Sequence, residues 1–235
     1  MTYYKRQNNM FLKLLSTALF SLALAACDSG SASKTDATNA TDTSTESLTP
    51  LKKVAIEYSA DQLINGVALG EITMGHPDAP ITMIEYASMT CPHCATFHSE
   101  TFKKIKENYV DTGRIKFVFR NYVFNQQDLT ASMVSRCAGP QKSWGMMSLF
   151  FERQNQWLQG DYVDNLATLA RRAGMNRAKF DACLQNADLQ KSLVEMRNGA
   201  VAAGVTSTPT FLIGDDMMVS AQEYEKFVEF IEDNM

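Results

Sequence analysis

Two cysteines two residues apart, in Thr90-Cys91-Pro92-His93-Cys94, can close a small disulfide and open it again. Apolar and β-branched residues lead up to the pair in Ile81-Thr82-Met83-Ile84-Glu85-Tyr86. Phe97, Thr101, Phe102, Ile105 and Tyr109 follow it at helical spacing. A strand over 81–87 giving way to a helix over about 92–110 puts Cys91 near the N-cap and Cys94 in the first turn. Pro92 takes the first helical position, where a missing N–H costs nothing. A thiolate on Cys91 then meets unpaired backbone N–H groups and the positive end of the helix dipole. Both favour the charged form, and a protonated His93 would push the same way. The thiolate is the species that attacks a disulfide sulfur, so this geometry makes an exchange-competent cysteine.

Other residues bear on the same chemistry. Glu85 lies six residues before Cys91 on a strand expected in the interior. A buried acid there can take or return the proton of Cys94, whereas on the alternate face it would be a solvent-facing carboxylate. Cys91, Cys94 and His98 also have the spacing of zinc ligands. A closed site needs a fourth ligand, and only His76 and His93 remain among the histidines, so no metal is assigned. The thirteen methionines scatter along helices and strands and read as core filling rather than a copper site. Arg120 and Asn121, on an expected second strand, carry no assigned role.

The chain has 235 residues, 45% hydrophobic and 20% charged, enough for one good core or two small ones. Its first segment stands apart. Lys5, Arg6 and Lys13 precede an apolar run from Leu14 to Ala26 that is too short to span a bilayer comfortably. The run ends Leu24-Ala25-Ala26-Cys27, which resembles a bacterial lipoprotein signal, in which Cys27 becomes the acylated N-terminus. An ordinary signal peptide cut nearby, with Cys27 incidental, is the other reading. Removing residues 1–26 takes away three positive charges and no negative ones, moving the formal net charge from −4 to −7. So acidic a body argues against nucleic acid or anionic headgroups as the main partner. Residues 27–50 are mostly Ser, Thr, Ala, Asp and Asn and read as a disordered tether. Once Cys27 is set aside, four cysteines allow three pairings. Cys91 with Cys94 is the obvious one, which leaves Cys137 with Cys183 as a structural bridge in an oxidising compartment.

The body, 51–235, positions these residues. Residues 51–79 are poorly legible, with short apolar runs at 54–56 and 67–69 and a turn cluster at Gly75-His76-Pro77-Asp78-Ala79-Pro80. After the first strand and helix, Ile115 to Phe124 predicts a second central strand parallel to the first. From Asp128 to about Gly204 the pattern is helical. Helices are expected over 129–138 and 142–158. A third opens at Asp161, a fourth is capped by Asn176, and a fifth is capped by Asp188. Strands return at Thr210–Ile213 and Met217–Val219 around a Gly214-Asp215-Asp216 turn. Ser220-Ala221-Gln222-Glu223 then predicts a capping box for the last helix.

This order, with Gly75…Ala79-Pro80, Cys-Pro-His-Cys at 91–94 and Gly204-Val205-Thr206-Ser207-Thr208-Pro209-Thr210, resembles the DsbA-like thiol:disulfide oxidoreductases of bacterial envelopes over residues 70–235. The resemblance implies an α/β, thioredoxin-like fold with a helical domain inserted in the middle, at about 128–204. It also implies a cis Thr208–Pro209 bond beside the cysteines, presenting backbone to substrate, and it carries the proton-handling role to Glu85. Arg136-Cys137-Ala138-Gly139 with a later Cys183 is similar to the lineage that has a second disulfide there.

The activity implied is an envelope dithiol oxidase without cofactor, facing the periplasm and held at a membrane, the inner one weakly favoured, by lipid on Cys27. It would donate the Cys91–Cys94 disulfide to reduced exported proteins and be reoxidised by a membrane partner of DsbB type. Thr in place of Val before Pro209 also occurs in isomerase-like relatives, so a reductase or isomerase is the alternative within the same chemistry. A metal-binding lipoprotein using the two cysteines is the alternative outside it.

Overall fold

The structure, a computed structural model, describes residues 69–235. The expected signal segment at 1–26, Cys27, the expected tether and the apolar runs up to residue 68 lie outside the described residues.

Five strands form one sheet in the order β1-β3-β2-β4-β5. They are β1 (Ile72–Met74), β2 (Ile81–Ala87), β3 (Ile115–Asn121), β4 (Thr210–Ile213) and β5 (Asp216–Val219). β2 is central and runs parallel to β3, with Glu85 in register with Phe119. On its other side β4 is antiparallel and brings Phe211 level with Glu85. β2 spans the residues its sequence predicts. β3 stops at Asn121, short of Phe124: its partner β2 ends at Ala87, opposite Asn121, and the bond from the Tyr122 N–H to the Ala87 carbonyl closes the ladder. β1 was not legible in advance. It is three residues between Gly70 and Gly75, both at positive φ, and pairs antiparallel with the edge of β3.

The helix after β2 is not continuous to 110. α1 (Pro92–Ser99) breaks at Glu100, α2 (Thr101–Ile105) resumes, and a π-helical turn at Lys106–Val110 completes the run. The Ser99 hydroxyl takes the Thr96 carbonyl at 3.0 Å, a local bond that competes with the helical ladder at the break. The run ends, as its sequence predicts, in a turn with Gly113 at φ +74°.

Between β3 and β4 come α3 (Gln126–Cys137), α4 (Pro140–Glu152), α5 (Gln154–Trp157), α6 (Tyr162–Arg172), α7 (Arg177–Leu184) and α8 (Ala187–Ala202). α3 begins three residues earlier than expected, since Asn125 is the residue whose side chain accepts an N–H, from Asp128. The helix expected over 142–158 starts at Pro140, behind Gly139, and is split at Arg153. Asp161 and Asn176 cap α6 and α7. α8 is capped by Asn186, not Asp188, because the Asn186 side chain reaches the N–H of Leu189. The expected capping box at Ser220 is absent. Ser220 sits at φ +72° with its N–H on the Pro209 carbonyl, and α9 (Tyr224–Glu232) starts only after Glu223.

Side-chain alternation along β2 decides what each face of the sheet meets. Phe97, Phe117, Phe211, Phe227 and Phe230 fill the layer between the sheet and α1 and α9. On the other face Ile84, Tyr86 and Val118 pack with Ala200 of α8 and with Val205. A third cluster joins Met89, Cys94 and Phe119 to Phe150, Phe151, Trp157 and Phe180 of the inserted helices. The insert therefore shares its core with the start of α1.

Candidate active site

Cys91 caps α1 from an extended backbone (φ −78°, ψ 119°), and Pro92 opens the helix. Cys91 is half-buried and Cys94 fully buried, and both carry free thiols. The Cys91 thiol is pulled down to about 5. The main cause is the hydrogen bond that Cys94 gives it; burial works against this, while the Thr208 side chain and the backbone N–H groups of Cys94 and His93 work with it. His93 itself is exposed, and what reaches Cys91 is its N–H. Cys94 is pushed the opposite way, well above the ordinary thiol range, first by burial, then by its hydrogen bond to Cys91 and the charge of Glu85. One half-exposed sulfur is thus held as thiolate beside a buried one held as thiol. Such a pair can attack a disulfide through the first sulfur and resolve the product through the second.

Thr208 and Pro209 lie across from the pair. Their peptide bond is cis, and the Thr208 carbonyl is 3.4 Å from the Cys91 Sγ. Glu85 is completely buried on the α1 face of β2, so the solvent-facing alternative does not apply. One of its oxygens is 2.8 Å from Nε2 of His98, itself buried. His98 is therefore turned to a carboxylate. Among the described residues no set of three or more His, Cys, Asp and Glu is arranged to hold a metal. Arg120 and Asn121 point to opposite faces of the sheet, each into its own polar cluster. Arg120 pairs with Glu71 and with the Tyr86 hydroxyl, and Asn121 bonds Ser132 and Arg136.

Two residues that grip the active-site loop had no functional signal in the sequence. Asp128, in the first turn of α3, accepts the N–H of Met89 at 2.8 Å and that of Phe124 at 3.0 Å. Its burial pushes the carboxyl up to about 6 despite those bonds. Gln154, the first residue of α5, gives its amide to the carbonyls of Met89 and Cys91, both at 2.9 Å. A buried Asp one turn into a helix reads as an acidic first turn, and a Gln between two helices reads as surface. Only contact across the fold reveals either.

Cys137 and Cys183 lie in the insert, away from this site, and their sulfurs are bonded at 2.03 Å.

A sheet of this order, with two cysteines opening the helix after its central strand and a cis-proline opposite, defines a thioredoxin-fold dithiol protein. A family profile described as Thioredoxin matches residues 68–233, so the chain belongs to that family, in its DsbA-like branch with an inserted helical domain. The crystal structure of Wolbachia pipientis alpha-DsbA1 is similar at a TM-score of 0.68 and 27% identity, covering 74% of this chain and 95% of that one. Disulfide bond formation protein D of Bacillus subtilis is 25% identical over 69% of this chain and 76% of its own length. A provisionally named protein-disulfide oxidoreductase of Rickettsia bellii is 28% identical over 67% of this chain. The match spans 60% of the length of that Rickettsia protein.

Proposed function

We propose that the protein is an envelope thiol:disulfide oxidoreductase that passes the Cys91–Cys94 disulfide to reduced cysteines of exported proteins. The observation that carries this reading is the opposed state of the two sulfurs. A half-exposed Cys91 favoured as thiolate is a good leaving and attacking group, and a shielded Cys94 favoured as thiol does not compete with it. A substrate thiolate attacks Cys91 Sγ, the Cys91–Cys94 bond breaks, and Cys94 leaves with the electron pair. A second substrate thiolate then attacks the substrate sulfur of the mixed disulfide, and Cys91 leaves as thiolate. Substrate is oxidised and the enzyme pair reduced. Glu85 handles the proton of Cys94, and the backbone around Thr208 and Pro209 receives an extended substrate segment as an added strand.

The address rests on sequence. A basic start, a short apolar run and Leu24-Ala25-Ala26-Cys27 support export and a lipid on Cys27. Such an anchor would hold the enzyme on the membrane, where a DsbB-type partner reoxidises it. No helix among the described residues is long and apolar enough to cross a membrane.

The test is stoichiometric. Oxidised protein mixed with a reduced two-cysteine peptide should yield one peptide disulfide per Cys91–Cys94 pair. Transfer from reduced protein to a peptide disulfide that always runs to completion, with no oxidation in the other direction, would make it a reductase instead.

A further inference from the structure

The setting of His98 is unusual for a histidine one turn after the reactive pair. Its ring lies flat on Phe151 at 4.5 Å and is ringed by Phe97, Phe102, Phe119 and Trp144. The side chain is 5% exposed, and its Nε2 is 2.8 Å from Oε2 of Glu85, which is 0% exposed. The other carboxyl oxygen, Oε1, is buried without a hydrogen-bond partner. A buried carboxyl with one oxygen engaged and one open is poised to accept one proton. The groups that flank Glu85 from β3 and β4 are Phe119 and Phe211, and those that surround His98 from α1, α2 and α4 are aromatic. The titratable groups facing Glu85 are His98 and Cys94, with Cys91 behind Cys94.

We infer that His98 is a positioning residue for the proton of Cys94: its Nε2 holds Oε2 of Glu85, so that Oε1 exchanges that proton. The inference rests on the thiol-exchange reading above. When Cys91 carries a mixed disulfide, Cys94 Sγ–H passes its proton to Oε1. The sulfur attacks Cys91 Sγ, the Cys91–substrate bond breaks, and the substrate sulfur leaves with the electron pair. The enzyme is oxidised, the substrate reduced, and the proton stays on the Glu85–His98 pair. In the oxidising direction Cys94 departs as thiolate and takes the same proton back. Without the imidazole, a carboxylate in an aromatic box lacks the donor that supports its charge and holds Oε2. The loss should shrink as rising pH favours the charged carboxylate by mass action.

The experiment follows both steps of the reaction of reduced protein with glutathione disulfide by stopped flow from pH 4 to 9. Formation of the mixed disulfide on Cys91 is the first step, and release of the second glutathione by Cys94 is the second. In His98→Phe, which fits the aromatic box, the first step should be unchanged. The second should slow about tenfold near neutral pH and recover at higher pH, a smaller loss than the ~100-fold or more that an acid–base group itself contributes. His98→Gln, which keeps an N–H donor, should restore much of the rate, and Glu85→Gln should remove the pH dependence that His98→Phe displaces. A second-step profile in His98→Phe that overlays wild type overturns the inference, as does equal slowing of both steps. Wild-type protein that does not react with glutathione disulfide at all would instead overturn the thiol-exchange reading on which it rests.

Discussion

The chain places two cysteine pairs at opposite poles of helices. Cys91 and Cys94 sit at the N-terminal end of α1, where backbone N–H groups point at sulfur. Cys137 is the last residue of α3 and Cys183 lies in the last turn of α7, 46 residues away in sequence. There the helix ends offer carbonyls rather than N–H groups. The positive pole stabilises a thiolate and the negative pole does the reverse. A disulfide whose sulfurs leave easily as thiolates is readily exchanged, and one whose sulfurs do not is inert. Burial adds to the contrast, since Cys91 is half-exposed while Cys183 is 4% exposed. The same covalent bond is thus chemistry at one end of a helix and scaffolding at the other.

Breaking the first pair should have the largest effect on exchange. Cys91→Ser should abolish it, whereas Cys94→Ser should accumulate covalent complexes with substrate that a reducing agent releases. Non-reducing gels of the two variants with a reduced peptide substrate check this, and equal trapping by both would erase the assigned difference between the sulfurs.

Acid should come next. The folded thiolate of Cys91 is favoured over the unfolded one, so it stabilises the reduced protein in full only above the ordinary thiol range. That contribution shrinks as pH falls and is lost through about 5. Thiolate absorbance of reduced protein should therefore show an inflection near pH 5 that is missing in Cys91→Ser. Attack by Cys91 should slow about tenfold per pH unit below it, as the thiolate fraction does.

A smaller effect is expected from Gln154→Ala, which frees the carbonyls of Met89 and Cys91. Loss of these bonds should cost about 1–3 kcal/mol in denaturant melts, and a few-fold change in mixed-disulfide formation should appear in stopped flow. The same variant leaves the second cysteine pair untouched, so its Cys137–Cys183 bridge should persist in peptide maps.

The smallest effect on exchange belongs to Cys137→Ser with Cys183→Ser. Rates per folded molecule should match wild type, while stability falls by about 4 kcal/mol, the chain-entropy value for a loop of 46 residues. A large loss of activity in still-folded protein would show that the two poles are not independent.

What the sequence made legible follows the range of the interactions involved. β2, the start of α1, Asp161 and Asn176 as caps, and the β4–β5 turn are set by neighbours a few residues away. The three-residue β1 and the left-handed Ser220 are settled by partners elsewhere, β3 and Pro209 respectively. The site divides the same way. Cys91, Pro92 and Cys94 announce themselves by spacing. His98, Asp128 and Gln154 do so only when Glu85, Met89 and Cys91 are brought to them.

The grip on the active-site loop also has a chronology. Met89 and Cys91 are made well before Asp128 and Gln154, which hold their backbone, and long before Thr208, which faces the sulfur from 117 residues downstream. A chain delivered from its N-terminus therefore holds the local donors to Cys91, from Cys94 and the start of α1, long before the loop around them is gripped. The contribution of Thr208 joins them only when the last strands arrive, so the site is finished late.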